Sequence, residues 1–255
     1  MLTASFDPVA FTIGSLSVRW YGLMYVVGFL LGWFLGRQRA ARFGWEPRDV
    51  DDLVTLSMLG CVLGGRLGYI IFYDLPVYLA DPSEILRFWN GGMSFHGAAI
   101  GLSLAFLYFG RTRKKRFIDI ADFITPLIPP GLFFGRIGNF INGELWGKVT
   151  TAPWGVIFPH AGPYPRHPSQ LYEAFLEGVV LFVLLMWFSA RPRRRGQIAG
   201  LFAMGYGISR FCVEFVRMPD VQLGYLAMQW LTMGQLLSLP LIAIGCWLFF
   251  CEHRG

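Results

Sequence analysis

Charge is scarce in this sequence. Only 15% of its 255 residues are Asp, Glu, Lys or Arg, whereas soluble domains average about 25%. Histidine and cysteine number four each. Cys61, Cys212, Cys246 and Cys251 fall in or beside apolar runs and show no CxxC spacing, which argues against both a disulfide framework and a zinc site. There is no metal-ligand cluster and no nucleotide-binding glycine motif, so no cofactor is expected. No internal repeat or low-complexity tract occurs. The first apolar run follows no basic segment and leads to no small-residue cleavage site, so it is read as a retained helix.

What is present is apolar. Hydrophobic residues make up 55% of the chain and aromatics 17%, with a mean hydropathy of +0.49. That composition predicts an all-α integral membrane protein. Runs long enough to cross a bilayer, about 17–25 residues, lie near 20–36, 53–73, 93–110, 117–134, 171–188, 198–216 and 230–250. They form one polytopic domain of seven spans covering 1–255. The net charge of +6 does not point to nucleic acid, because the basic residues cluster directly beside spans. Arg37, Arg39, Arg42 and Arg48 follow the first span, and Arg111, Arg113, Lys114, Lys115 and Arg116 the third. Arg191, Arg193, Arg194 and Arg195 follow the fifth, and His253 and Arg254 end the chain. This alternation predicts an external N-terminus and a cytoplasmic C-terminus. The outward loops hold most of the prolines and three of the nine tryptophans, Trp89, Trp146 and Trp154. The longest, about 142–170, exceeds a simple turn and is expected to pack into a small extracytoplasmic cap.

Within this apolar chain, Gly135–Gly147 stands out: it carries Arg136, Asn139, Asn142 and Glu144 at the end of a span. Polar groups there are costly unless function or internal pairing requires them. A guanidinium offers a rigid fork of donors that suits a phosphate; a helix cap with a satisfied loop is the structural alternative. Pro126, Pro129 and Pro130 precede the stretch and predict a broken helix, with Arg136 on irregular, cavity-lining backbone.

Other ionisable groups lie in spans. Arg66 sits among Gly64, Gly65 and Gly68, whose lack of side chains admits a helix or a ligand; it reads as an anion ligand or as an arginine reaching outer headgroups. Tyr206, Arg210 and Glu214 are four apart and share one helix face, followed by Arg217. His96 lies at the start of the third span. Glu173 and Glu177, also four apart, and nearby Arg166, His167, Gln170 and Tyr172 are expected to support the site. Asp119 and Asp122 are expected to pair with the preceding Arg/Lys cluster.

These residues resemble a known family. Gly135–Gly147 fits the signature G-R-x-G-N-F-x-N-x-E-x-x-G of the prolipoprotein diacylglyceryl transferases. Arg19–Gly22, Gly64–Tyr69, Ser94–Gly97, Arg166–Glu173, Tyr206–Phe211 and Met233–Gln235 fit as well, so the resemblance runs through nearly the whole chain. Ala98 departs from it, where a second glycine is expected after His96-Gly97. The resemblance implies a multi-pass enzyme of the bacterial inner membrane with its active site on the periplasmic side. It implies transfer of the diacylglyceryl group of phosphatidylglycerol to the lipobox cysteine of a preprolipoprotein signal peptide, by a monomer. The family positions tied to activity or lipid binding match Tyr21, His96, Arg136, Asn139, Glu144, Gly147, Tyr206 and Arg210. The residues themselves suit that chemistry. Arg136 and Arg210 are cations for a leaving phosphate, His96 is the base candidate for the thiol, and Tyr21 or Tyr206 carries a hydroxyl to orient the headgroup. A seven-span transporter for an anionic solute and a non-catalytic lipid-binding scaffold remain as alternatives.

Overall fold

A computed structural model describes residues 2–14, 16–87, 92–219 and 224–251. Trp89, His253 and Arg254 lie outside these. The chain is mainly helical. α1 (Trp20–Arg39), α2 (Pro47–Tyr73), α3 (Leu75–Ala80), α4 (Phe95–Thr112), α5 (Phe117–Ile124) and α6 (Ile128–Asn142) come first. Then follow α7 (Ser169–Glu173), α8 (Leu181–Phe188), α9 (Gln197–Val213) and α10 (Met233–Phe250). A 3₁₀ turn, Thr125–Leu127, joins α5 to α6, and a π-helical segment, Ala174–Val180, joins α7 to α8. Each stretch read as a span contains a helix, although α4 and α10 start two and three residues later than expected and α9 ends three residues earlier. Among the described residues, four helical stretches are long and apolar enough to cross a membrane: Pro47–Tyr73, Phe117–Asn142, Ser169–Phe188 and Met233–Phe250.

Backbone packing divides the chain into two compact units, one of residues 1–35 and 121–255, the other of residues 36–120. In the second, α2 lies against α4 along a stripe of small residues. A Cβ on Gly64 would come within 2.4 Å of the Gly97 carbonyl, and one on Gly101 within 2.0 Å of the Gly60 carbonyl. Glycines spaced by four let two helix backbones touch where hydrophobic driving force is absent. The glycines around Arg66 therefore admit a helix.

The mainly helical architecture agrees with the all-α expectation, and four short strands accompany it among the described residues of the first unit. β2 (Val9–Ile13) and β3 (Leu16–Arg19) form an antiparallel hairpin, and β1 (Leu2–Thr3) pairs in parallel with β4 (Val156–Ile157). Ala4, Val156 and Phe158 are buried together, with Phe140, Trp146 and Ala161 packed around them. The 143–168 segment thus shares a small core with Ala4 and with Phe140 of α6. Strands of two to five residues leave too little alternation to be read from sequence.

Two further expectations change. The helix break falls at Thr125–Leu127, so Arg136 lies on regular helical backbone. Pro129 and Pro130 occupy the first turn of α6, where a missing N–H costs nothing. Asp122 does not simply pair with the basic cluster. Its carboxylate accepts from the backbone N–H of Gly196 (2.6 Å) and Ala199 (2.8 Å) and so caps α9. From the cluster, Arg113 and Lys115 reach Asp49 of α2 at 3.6 and 3.5 Å.

Candidate active site

α6 ends at Gly143, whose φ of +65° is the left-handed conformation that favours glycine. The Gly143 N–H donates to Phe140 O and the Glu144 N–H to Asn139 O, both at 3.1 Å, closing the last turn. Beyond it the chain is laced to the segment that opens α7. Gln170 Nε2 donates to Glu144 O at 2.5 Å, Ser169 Oγ to Leu145 O at 2.9 Å and the Gly147 N–H to His167 O at 2.9 Å.

That lacing fixes Arg136 and Asn139, one turn apart on α6, opposite two acidic residues from α7 and the π segment. Arg136 Nε lies 2.5 Å from Glu173 Oε2, and its Nη2 lies 3.8 Å from Glu177 Oε2. Glu173 also takes Arg210 of α9, Nη1 to Oε1 at 2.6 Å. Arg210 Nη2 reaches Glu214 Oε1 at 2.5 Å, and Arg217 Nη1 reaches the same oxygen at 3.0 Å. Thr232 Oγ1 donates to Glu214 Oε2 at 2.6 Å. The carboxylate side chains are 0–1% exposed, while those of Arg136 and Arg210 are 18% and 15% exposed. Buried acids thus brace two guanidiniums that stay partly exposed. Sequence reading assigned Glu173 a supporting role; it is the hub that joins α6 to α9. The signal was its four-residue spacing from Glu177 inside an apolar run.

A family model described as prolipoprotein diacylglyceryl transferase matches residues 8–251. The chain belongs to that family. Its relatives include proteins named phosphatidylglycerol–prolipoprotein diacylglyceryl transferase. The one from Nitratidesulfovibrio vulgaris strain DP4 is 64% identical over 95% of this chain and 93% of its own length. That of Methylococcus capsulatus is 57% identical over 96% and 95%, and that of Coxiella burnetii strain RSA 331 is 53% identical over 97% and 96%.

Arg136 and Arg210 meet at Glu173. Asn139 and Glu144 brace the first of them: Arg136 Nη1 makes a long 3.5 Å contact with Asn139 Oδ1, and Asn139 Nδ2 donates to Glu144 Oε1 at 2.8 Å. Asn142 Nδ2 donates to the same oxygen at 3.2 Å. Tyr206 stacks on Phe202, four residues away, with ring centroids 5.9 Å apart. Tyr21 lies across Gly138, where a Cβ would come within 2.9 Å of its ring, and its hydroxyl is 3.0 Å from that of Tyr25.

Gly147 occupies a crossing of backbones. A Cβ there would lie 2.6 Å from His167 O and 2.7 Å from Val216 O, and neither carbonyl is a flexible end that can swing away. Gly147→Ala is expected to destabilise the protein by about 1–3 kcal/mol, the range for overpacking. Thermal unfolding in detergent checks this; an unchanged midpoint would mean that the 144–147 segment yields freely. Beside it, His167 Nδ1 lies 3.0 Å from the Tyr172 hydroxyl, which accepts from Trp154 Nε1 at 2.8 Å. Burial pushes the His167 pKa below the ordinary histidine value.

Arg66 and His96 belong to the other unit, residues 36–120. Arg66 is 2% exposed, and its guanidinium donates to the carbonyls of Ile85 (3.1 Å), Gly92 (3.2 Å), Glu84 (2.5 Å) and Arg87 (3.3 Å). That is an anchor for the chain after α3, not the open anion ligand or the arginine reaching for headgroups that its sequence suggests. His96, in the first turn of α4, is exposed.

Proposed function

We propose that this chain transfers the diacylglyceryl group of phosphatidylglycerol to the lipobox cysteine of a preprolipoprotein. The cysteine sulfur attacks the glyceryl carbon, a thioether forms, and glycerol phosphate leaves. One observation carries this reading: Arg136 and Arg210 share a buried carboxylate yet remain partly exposed themselves. Charge grows on the phosphate as the C–O bond breaks, so fixed cations there act most strongly in the transition state. Asn139 and Glu144 orient Arg136, and the Tyr21 and Tyr206 hydroxyls are candidates for the headgroup. The thiol, with a pKa near 8.5, needs a base to become a strong nucleophile. His96, whose ordinary pKa is near 6.5, is the proposed base. The enzyme sits in a bacterial inner membrane as a seven-span monomer, with the folded 143–168 segment forming the periplasmic cap.

Phosphatidylglycerol labelled in its acyl chains, incubated with purified protein and a lipobox peptide, tests the reaction. Thin-layer analysis should show label on the peptide, and none on a peptide with serine in place of the lipobox cysteine. Label that stays entirely in lipid would leave a transporter or a binding scaffold. Topology is tested separately, with Thr151→Cys and Arg191→Cys, both exposed positions, in a background lacking the four native cysteines. A membrane-impermeant thiol reagent should label them from opposite sides; labelling from one side only would contradict seven spans.

A further inference from the structure

Glu177 is the acid of the cluster that holds its arginine most loosely. It sits mid-way along the π-helical segment Ala174–Val180, which presses on α6 closely enough that a Cβ on Gly178 would lie 2.6 Å from the Phe133 Cβ. π segments of this kind interrupt helices preferentially at functional sites. Its side chain is wholly buried, and neither carboxylate oxygen has a hydrogen-bond partner. The ion pair it makes is the 3.8 Å approach of Arg136 Nη2. Glu173 and Glu214, by contrast, hold arginines at 2.5–2.6 Å. The charged and titratable groups that act on Glu177 are Glu173 on its own side, Arg136 on α6, Tyr206 and Arg210 on α9, and Arg217 just beyond α9. α8, which continues its helix, carries none.

Formal charge among the groups joined directly by ion pairs decides what Glu177 can do; Glu144 reaches Arg136 only through Asn139 and is not one of them. Arg136, Arg210 and Arg217 supply three positive charges, and Glu173, Glu177 and Glu214 supply three negative ones. With every acid ionised the cluster is neutral before any ligand arrives. A phosphodiester headgroup would then add one uncompensated negative charge in a poorly solvated place, which is strongly disfavoured. With a proton on Glu177 the cluster carries one positive charge, the complement of one phosphodiester. Glu177 is also the acid that gives up least on protonation, because no hydrogen bond to its charged form is lost.

We propose that Glu177 is a proton-binding positioning residue: it takes up one proton as an anionic phosphodiester headgroup binds, releasing Arg136 Nη2 to face the phosphate. This rests on the reading of Arg136 and Arg210 as the phosphate site. The step is an acid–base equilibrium. The proton comes from solvent, adds to a Glu177 oxygen and forms an O–H bond, and no other bond changes.

The test is binding of phosphatidylglycerol in neutral-lipid nanodiscs to the full-length protein without peptide, between pH 5.5 and 9. A phosphodiester does not titrate in this range. Above the pH at which free Glu177 ionises, uptake of one proton makes affinity fall about tenfold per pH unit. Glu177→Gln, which keeps the shape and the neutral state, should abolish that slope and bind at high pH as tightly as the parent does at low pH. Calorimetry of the unaltered protein in two buffers of different ionisation enthalpy should report close to one proton taken up per headgroup, and needs no variant to fold. A flat profile in the parent, no buffer dependence, or a slope that persists in Glu177→Gln would overturn the proposal. Arg136→Ala with Arg210→Ala separates this from failure of the site itself. If that double variant binds phosphatidylglycerol as the parent does, the phosphate site is elsewhere. If it loses binding while the parent shows no proton uptake, only the role of Glu177 falls.

Discussion

Arg136→Lys is expected to lose nearly as much turnover as Arg136→Ala, about 10²–10³-fold, the cost of a transition-state donor worth roughly 2.7–4 kcal/mol. Two explanations of an essential cation here differ in what lysine does. If position 136 supplies only field, an ammonium supplies it too. If it supplies a fork, lysine fails, because its three donors radiate from one point. The structure favours the fork. Arg136 uses Nε for Glu173, turns Nη1 toward Asn139 and Nη2 toward Glu177, and still keeps 18% of its side chain exposed. A lysine reaching Glu173 would leave no second, coplanar donor for a phosphate. Both variants must first elute as folded protein in detergent and retain expression, since unpairing a buried Glu173 is itself destabilising. Near-parent turnover in Arg136→Lys would reduce the residue to a source of charge.

His96→Asn is expected to cost about 10²–10⁴-fold in turnover at neutral pH, the usual range for removal of a general base. Binding of phosphatidylglycerol should be retained. The sign of the pH effect distinguishes the base from a structural part. A thiol with a pKa near 8.5 ionises unaided as pH rises, so the variant should recover part of its rate between pH 7 and 9 relative to the parent. A structural defect would not be relieved by alkali. His96 lies exposed in the first turn of α4, just after Ser94 caps the helix through the Gly97 N–H at 3.2 Å. Near-normal turnover of the variant at pH 7 would remove it from the mechanism.

Much of this molecule can be read in its sequence, for identifiable reasons. Long apolar runs and the arginine clusters between them mark every helix that was expected, because the cost of exposing backbone in lipid leaves few alternatives. Their ends were less legible. α2 begins at Pro47, six residues before the apolar run, because Glu46 and Asp49 form a capping box on polar residues. The Pro126–Pro130 cluster announced a break but not its place, since two of those prolines suit a helix start.

In the site, charge in an apolar run was the reliable signal, and it found Arg136, Arg210, Glu173 and Glu177 alike. What it could not supply was partnership. Arg66 and Arg136 look alike in sequence, each beside glycines near a span end. One is enclosed by carbonyls brought from after α3, and the other is opposed by carboxylates from α7 and the π segment. That difference is set by contacts across 18–37 residues of chain, and local pattern contains none of it.

In the proposed reaction the phosphate of the donor lipid sits against the exposed parts of Arg136 and Arg210. A structure of the protein in nanodiscs, with a non-transferable phosphatidylglycerol analogue bound, tests it most directly. The account expects phosphate oxygens within hydrogen-bond reach, about 2.7–3.2 Å, of nitrogens on both guanidiniums. Glu173 should still lie behind them. A headgroup held elsewhere, with Arg136 and Arg210 touching only their carboxylates, would contradict it.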